Sequence, residues 1–98
     1  MLIQHKQTEK KGMFFVPGEE EDFLAELIYN KQDDGNMIIE HTHVDDELRG
    51  QNIGYQLVHS AVEYAKSHNL KIIPLCPFAK AVIDKKPEFK EVLKGEDE

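Results

Sequence analysis

The sequence of 98 residues contains one cysteine, Cys76, and no tryptophan. A single cysteine excludes an intramolecular disulfide framework and a cysteine-rich structural zinc site. The chain also lacks any apolar run near the roughly 20 residues that a membrane-spanning helix needs, and its first residues form no apolar stretch long enough for a secretion signal. These absences predict a protein of the reducing cytoplasm with no membrane partner.

Basic residues are scarce as well. Lysine and arginine total 12 against 19 aspartate and glutamate residues, which gives a formal net charge of −7. Such a chain gains little from neutralising phosphates, so the composition argues against non-specific nucleic-acid binding. An acidic surface suits a cationic partner such as an amine or a basic peptide, although net charge also serves solubility alone.

The composition itself is that of one globular domain, with 40% hydrophobic and 32% charged residues. We assign this domain to residues 1–94 and expect the acidic end, residues 95–98, to fray. Aromatic-rich or alternating segments predict two short strands within residues 3–16 and one strand each in residues 23–30 and 37–44. The links between these strands are too short for crossovers, so they should form an antiparallel meander.

The pattern changes in the second half of the chain. Apolar residues at helical spacing predict a helix from Ile53 to about residue 67, and residues 70–75 predict a fifth strand that Pro74 interrupts. A second helix should run from about residue 78 to residue 84, with an apolar face made of Phe78, Ala81 and Val82. The order β-β-β-β-α-β-α indicates an α/β (α+β) fold with a mixed, mostly antiparallel sheet and a parallel crossover between strands four and five.

A glycine-containing turn, Arg-Gly-Gln-Asn-Ile-Gly at residues 49–54, connects the fourth strand to the first helix. Backbone N–H groups at a helix N-terminus lack intrahelical partners and lie at the positive end of the helix dipole. Gly50 and Gly54 let the main chain approach an anion closely. No Gly-Lys-Ser/Thr follows, which excludes a P-loop, and the spacing does not fit a Rossmann fingerprint. The turn predicts a phosphate or pyrophosphate site; the alternative is a helix start that holds no ligand.

Residues 49–54 resemble the Q/R-x-x-G-x-G/A motif of the GNAT superfamily of acetyl-CoA-dependent acyltransferases, and the predicted order of elements resembles the compact GNAT fold. More narrowly, Glu-His-Thr at residues 40–42 and Cys-Pro-Phe at residues 76–78 resemble a small single-domain GNAT subgroup, over roughly residues 37–90. One departure is Asn52, which stands where the motif has its middle glycine. Asparagine adopts left-handed backbone angles more readily than most residues, so the turn should survive.

The resemblance implies acetyl-CoA (coenzyme A) as the cofactor. It implies that strands four and five splay apart where Pro74 removes a backbone donor, and that the pantetheine arm enters this wedge beside the main chain of Thr42, His43 and Val44. The acetyl group would then lie near the middle of strand four and the end of strand five. The residues implied to bind the pyrophosphate through their backbone amides are Arg49, Gly50, Gln51, Asn52, Ile53 and Gly54.

The same likeness places the candidate catalytic residues Cys76, His41 and Glu40 near the acetyl group. Amine acetylation needs a proton acceptor, a donor to the thioester carbonyl and a proton for the departing thiolate. His41 or Glu40 could accept the proton, but in a regular strand only one of them faces the cleft unless a bulge intervenes. Cys76 has three open interpretations: a packing residue, a proton donor, or a nucleophile activated by His41. His41 and His43 share a strand face, but no third ligand is convincingly placed, so no metal site is predicted.

The resulting hypothesis is an N-acetyltransferase that transfers the acetyl group of acetyl-CoA to an amine-bearing small molecule or peptide, by direct attack in a ternary complex. One alternative is an acyl-CoA-binding or sensing module with little turnover, because so short a chain offers little material to surround an acceptor. Another is a partner-binding domain that keeps only the fold. Strand edges in so small a sheet could also pair with a second copy.

Overall fold

The computed structural model describes residues 3–19, 22–48 and 50–93. The order of elements matches the predicted β-β-β-β-α-β-α arrangement, with two short 3-10 helices added, and the predicted frayed end at residues 95–98 lies outside the described residues. The elements are β1 (Gln4–Gln7), β2 (Lys11–Pro17), β3 (Phe23–Lys31), β4 (Asn36–Val44), a 3-10 helix (Asp46–Leu48), α1 (Ile53–Ser67), β5 (Lys71–Pro74), α2 (Pro77–Lys85) and a second 3-10 helix (Pro87–Val92).

The five strands form one sheet in the order β1-β2-β3-β4-β5. Strands β1 to β4 are antiparallel neighbours, and β5 runs parallel to β4. The reversal between β3 and β4 uses Gly35 at φ 89°, and the Asn36 N–H donates to the Asp34 carboxylate at 3.2 Å. The antiparallel meander and the parallel crossover are both confirmed.

Helix α1 packs on one face of this sheet. Its apolar positions recur every three or four residues, and alternate residues of β3 meet them, because side chains in a strand alternate between faces. No helix in the described residues is both long and apolar enough to cross a membrane. The buried core includes Ala25, Leu27, Tyr29, Met37, Ile39, Leu57, Val58, Ala61, Val62, Ala65 and Ile72.

Helix α2 contacts the core through residues other than those of its predicted apolar face. Ala79 and Ile83 are fully buried and form its core contact, whereas Phe78 is 45% exposed. The Phe78 ring lies against Gly54 at the start of α1, where an added Cβ would overlap the ring. Phe78 and Val82 of the predicted apolar face both line the cavity beside α1, whereas the contact of α2 with the core is made by Ala79 and Ile83, which the prediction did not include.

Candidate functional site

The turn before α1 has two residues in the left-handed region, Gly50 at φ 82° and Asn52 at φ 62°. Asn52 is the N-cap of α1, and its side chain makes no capping hydrogen bond to the described residues. The first intrahelical bond runs from the Gln56 N–H to the Asn52 carbonyl at 3.1 Å. The prediction that asparagine supports the turn is confirmed, and the amides at the start of α1 remain uncapped by any described side chain. Arg49 lies outside the described residues.

A cavity of about 660 Å³ opens beside this turn. Its cationic side chains are those of Lys85 and Lys86, and no aspartate or glutamate is among the described residues of its wall. A chain with a net charge of −7 thus presents local positive charge next to an uncapped helix N-terminus. That combination favours an anion. The wall consists of Val44, Leu48, Gly50, Asn52, Ile53, Gly54, Tyr55, Phe78, Val82, Lys85 and Lys86.

Strands β4 and β5 part close to this cavity. Their register ends where Ile39 lies opposite Pro74. The Lys71 N–H donates to the Gly35 carbonyl and the Leu75 N–H to the Ile39 carbonyl, so alternation directs the Pro74 nitrogen away from β4. The N–H groups of Leu75 and Cys76 both donate to the Ile39 carbonyl, at 3.0 and 3.3 Å, so the chain after Pro74 turns away from β4. The predicted departure of β5 after Pro74 is confirmed. Its predicted cause, a donor missing from the ladder, is wrong, because the Pro74 nitrogen faces away from β4.

Next to the point where β5 leaves β4, the pairing of β3 with β4 leaves one residue of β4 without a partner. Ile28 lies opposite His41 and Tyr29 lies opposite Ile39, so Glu40 is the extra residue of a β-bulge. Glu40 and His41 are both exposed. A bulge bends its strand and increases the local twist, and it is the condition under which neighbouring side chains escape strict alternation.

Beyond the bulge, Thr42 and Val44 lie opposite Leu27 and Ala25, whose side chains are fully buried. The side chains of Thr42 and Val44 therefore point to the sheet face that α1 covers. Alternation in an antiparallel ladder directs the backbone groups of these two residues away from β3, toward the side that β5 has left. The backbone groups of His43 face β3 instead.

Cys76 is the residue that brings β4 and α2 together. It occupies the N-cap position of α2, and its Sγ atom lies 2.9 Å from the Thr42 hydroxyl oxygen. Burial raises the pKa of the Cys76 thiol, but interactions with the Thr42 hydroxyl and with the backbone amides of Ala79, Phe78 and Thr42 outweigh burial and lower the pKa below the ordinary thiol value. The amides of Phe78 and Ala79 lower this pKa although the Cys76 side chain forms no standard capping hydrogen bond with α2.

The other two candidate catalytic residues lie apart from this pair. His41 faces the side of the sheet opposite α1, level with Ile28, and no hydrogen bond or ion pair joins its ring or the Glu40 carboxylate to Cys76 in the described part of the chain. His43 shares that outer face, opposite Glu26. The structure thus joins Cys76 to Thr42, while the catalytic roles of His41 and Glu40 stay predictions.

Sequence reasoning missed several residues of the cavity wall, notably Lys85 and Lys86. The available signal was local: two adjacent lysines close a predicted helix just before Pro87, in a chain that is otherwise acidic. It also missed Thr42 as the partner of the Cys76 thiol, because a contact between residues 34 apart leaves no local pattern.

Comparison with known proteins agrees with this architecture. A family model described as GCN5-related N-acetyl-transferase matches residues 13–92. The NMR solution structure of a GCN5-like protein from Staphylococcus aureus has a TM-score of 0.74 and 40% identity, covering 94% of this chain and 88% of that one.

Two further structures share the fold at low identity. The crystal structure of Tetrahymena GCN5 has a TM-score of 0.62 and 10% identity, covering 93% of this chain and 65% of that one. A ribosomal-protein-alanine N-acetyltransferase from Brucella melitensis biovar Abortus 2308 has a TM-score of 0.57 and 13% identity, covering 94% of this chain and 69% of that one. With the family model spanning most of its length and the Staphylococcus protein 40% identical to it, the chain belongs to the GCN5-related N-acetyltransferase family.

Proposed function

We propose that this protein is an N-acetyltransferase that takes its acetyl group from acetyl-CoA and passes it to an amine. The observation that carries the proposal is the left-handed turn at Gly50 and Asn52, which delivers the uncapped start of α1 to a cavity with two lysines and no described carboxylate. Membership of the GCN5-related family supports the same donor.

The residues present fit a nucleotide thioester. The backbone amides of Gly50 and residues 52–54, together with Arg49, would hold the pyrophosphate at the positive end of α1. The Gln51 N–H already donates to the Leu48 carbonyl at 3.3 Å, so Gln51 would contribute only after giving up that bond. The backbone groups of Thr42 and Val44, which point toward the gap left by β5, would pair with the amides of the pantetheine arm, with His43 beside them. When bound, acetyl-CoA supplies an acetyl group activated as a thioester.

Cys76 stands at the junction where this arm would end. In the proposed reaction the amine attacks directly in a ternary complex, and Cys76 Sγ releases a proton to the departing thiolate. A thiol whose pKa lies below the ordinary value is suited to proton transfer near neutral pH. His41 or Glu40, both exposed on β4, would accept the proton of the incoming ammonium, directly or through water.

Two measurements test the proposal. Thermal unfolding with acetyl-CoA at about 100 times its dissociation constant should show a stabilisation of about 2.7 kcal/mol. Chromatographic quantification of released coenzyme A, with a panel of amines, should show acceptor-dependent turnover. Chromatography is preferred because thiol reagents would also modify Cys76. No stabilisation at millimolar acetyl-CoA contradicts the proposal, and binding without release for every amine would favour a sensing module.

The role of Cys76 is tested separately. The variant Cys76→Ala should keep acetyl-CoA binding and lose turnover, with Cys76→Ser as the control of similar size. Intact-mass analysis after incubation with acetyl-CoA alone should find no acetyl adduct on the wild-type chain. An adduct confined to Cys76 would replace direct attack by an acyl-enzyme route.

A further inference from the structure

Phe78, the second residue of α2, has its ring and its backbone directed at two different parts of the site. The ring lies against Gly54 in the first turn of α1, so closely that a Cβ added at Gly54 would overlap it. The backbone N–H lies near the thiol of Cys76, the N-cap residue of α2. The N–H groups two and three positions after an N-cap are those that its side chain can reach. One residue therefore links the start of α1 to Cys76.

Neither burial of the ring nor the backbone of Gly54 explains this contact. Phe78 is 45% exposed, and the core contact of α2 is made by Ala79 and Ile83 instead. Gly54 lies inside α1 and is not among the described glycines with a positive φ, so its backbone conformation is open to any residue. What the glycine provides at this position is room for the Phe78 ring.

The ring contact restrains the rotation of α2 about its own axis. Ala79 and Ile83 are four residues apart, so they meet the core along one line of the helix surface. Phe78 lies about 100° around the helix from Ala79, on the same side as Val82. Of these two side chains off the core line, that of Phe78 belongs to the first turn, beside Cys76. The position of the amides in that turn therefore depends on where the Phe78 ring rests.

Strand β4 and the first turn of α2 together surround the Cys76 thiol. The Sγ atom lies 2.9 Å from the Thr42 hydroxyl oxygen, and the Cys76 N–H donates to the Ile39 carbonyl at 3.3 Å. Burial raises the pKa of the thiol, while the Thr42 hydroxyl and the amides of Ala79 and Phe78 lower it below the ordinary thiol value. Because β4 holds Cys76 itself, a small rotation of α2 changes mainly the distance from the thiol to the amides of α2.

We propose that Phe78 is a positioning residue that couples the turn before α1 to Cys76. Its ring, lying on Gly54, holds the first turn of α2 against α1, and the amides of that turn then stabilise the thiolate. This inference rests on the proposed function and deepens it. In the acyl-donor site, the contact keeps the turn that would hold the pyrophosphate and the thiol that would serve the thioester in one fixed arrangement.

The variant Gly54→Ala tests the contact from the side of α1. It places a methyl group against the Phe78 ring, while alanine suits a helical backbone better than glycine does. The displaced ring should move the first turn of α2, so alkylation of Cys76 by iodoacetamide should need a higher pH. We expect an alkylation rate at about pH 7 that is at least about threefold below that of the wild type. Cys76 is the one cysteine in the sequence, so the rate reports on that thiol alone.

A double-mutant cycle shows whether the effect passes through the ring. Phe78→Ala removes the ring and should also slow alkylation. Adding Gly54→Ala to Phe78→Ala should change nothing further, because the new methyl group has no ring to displace. Leu75→Ala is the matched control, since Leu75 is also large and apolar, is 64% exposed and adjoins Cys76 on the other side. The pH profile of this control should match that of the wild type.

The outcomes separate this inference from the proposed function. A wild-type alkylation profile in Gly54→Ala overturns the inference, and so does an equal effect of Gly54→Ala with and without the Phe78 ring. If Gly54→Ala does not fold, Phe78→Ala decides alone: slowed alkylation supports the inference and a wild-type profile overturns it. None of these measurements uses acetyl-CoA. Failure of acetyl-CoA to bind the wild type would therefore overturn the proposed function without altering the alkylation result.

Discussion

Cys76 shows how neighbours from different elements set the chemistry of one side chain. Burial alone would raise the pKa of its thiol, and the hydroxyl of Thr42 on β4 together with the first amides of α2 reverses that effect. Each of these groups stabilises the thiolate more than the thiol. The acidity of Cys76 therefore depends on β4 and α2 keeping their present spacing.

The contribution of Thr42 can be measured directly. Thr42→Val removes the hydroxyl and keeps the branched shape, so the pKa of Cys76 should rise and its alkylation by iodoacetamide should need a higher pH. Since Cys76 is the one cysteine in the sequence, the alkylation rate reports on it alone. Thr8→Val, at the turn between β1 and β2, is the matched control. An unchanged rate profile in Thr42→Val would mean that the hydroxyl does not stabilise the thiolate.

Asn52 and Asn69 allow a paired test of the left-handed conformation. Both have positive φ, at 62° and 56°, one in the turn before α1 and the other after its end. Replacing either with alanine should lower the free energy of unfolding by about 1 kcal/mol, because a Cβ without the side-chain amide is disfavoured there. Asn52→Gly should retain stability.

Ligand binding separates the two asparagines. Asn52→Ala should also weaken acetyl-CoA binding, because the turn orients the amides that would hold the pyrophosphate, whereas Asn69→Ala should bind as the wild type does. Urea unfolding and calorimetry measure the two effects. Equal loss of affinity in both variants would show that binding follows stability rather than the geometry of the turn.

At the level of elements, the bulge at Glu40 bends β4 beside the gap that β5 leaves. Because Glu40 is an extra residue between paired positions, the strand bends just where β5 leaves it. The residues before and after Glu40 remain in register with β3. The bend and the departure of β5 together produce the wedge between β4 and β5.

Deletion of Glu40 should therefore be tolerated by the fold. The remaining pairs, Ile39 with Tyr29 and His41 with Ile28, become consecutive steps of a regular ladder, so side chains keep their faces. We expect a cooperative thermal transition and weakened acetyl-CoA binding, because β4 loses its bend. Deletion of Ile28, a regularly paired residue of β3, is the control and should unfold the protein. An unfolded Glu40 deletion would show that the bulge is needed for the fold itself.

The elements also show how far sequence reasoning extends. Strand and helix periodicity and the reversal at Gly35 were predictable, because each depends on local propensity. The end of the β4–β5 ladder was predicted at the right residue for the wrong reason, since the Pro74 nitrogen faces away from β4. The residues through which α2 meets the core were not predictable, because contacts such as that of the Phe78 ring with Gly54 join residues that are distant in the sequence. The bulge was foreseen only as a condition, since an extra residue in a ladder depends on both strands.

Across the whole molecule, positive and negative charge are unevenly distributed. The chain carries a net charge of −7, yet the cavity beside α1 has lysines and no described carboxylate in its wall. Long-range repulsion of an anionic ligand is screened by salt, whereas close contacts with backbone amides and lysines act over a few ångströms. Local geometry rather than net charge should therefore decide whether an anion binds beside α1.

A cluster of polar and aromatic side chains ties the first strand to the rest of the molecule. The His5 ring on β1 stacks on Phe14 with centroids 4.1 Å apart, and its Nε2 atom lies 2.6 Å from the hydroxyl of the buried Tyr29. The Tyr64 hydroxyl on α1 donates to the Gln7 side chain at 2.8 Å. These contacts join β1, β2, β3 and α1.

This cluster predicts how stability responds to pH. Burial, and then the positive charges of Lys31 and His68, lower the pKa of His5 in the folded protein. Protonation of His5 therefore favours the unfolded chain, in which the pKa of histidine is about 6.5. The contribution of neutral His5 to the free energy of unfolding is fully present above that pH and is lost as the pH falls through the lowered pKa of the folded state.

The variant His5→Gln keeps a polar side chain that does not titrate. Between about pH 7.5 and pH 5, its free energy of unfolding, measured with urea, should therefore fall less than that of the wild type. His43→Gln removes one exposed histidine outside the cluster and controls for the change in charge. Identical losses in the wild type and His5→Gln would assign the acid sensitivity to other groups.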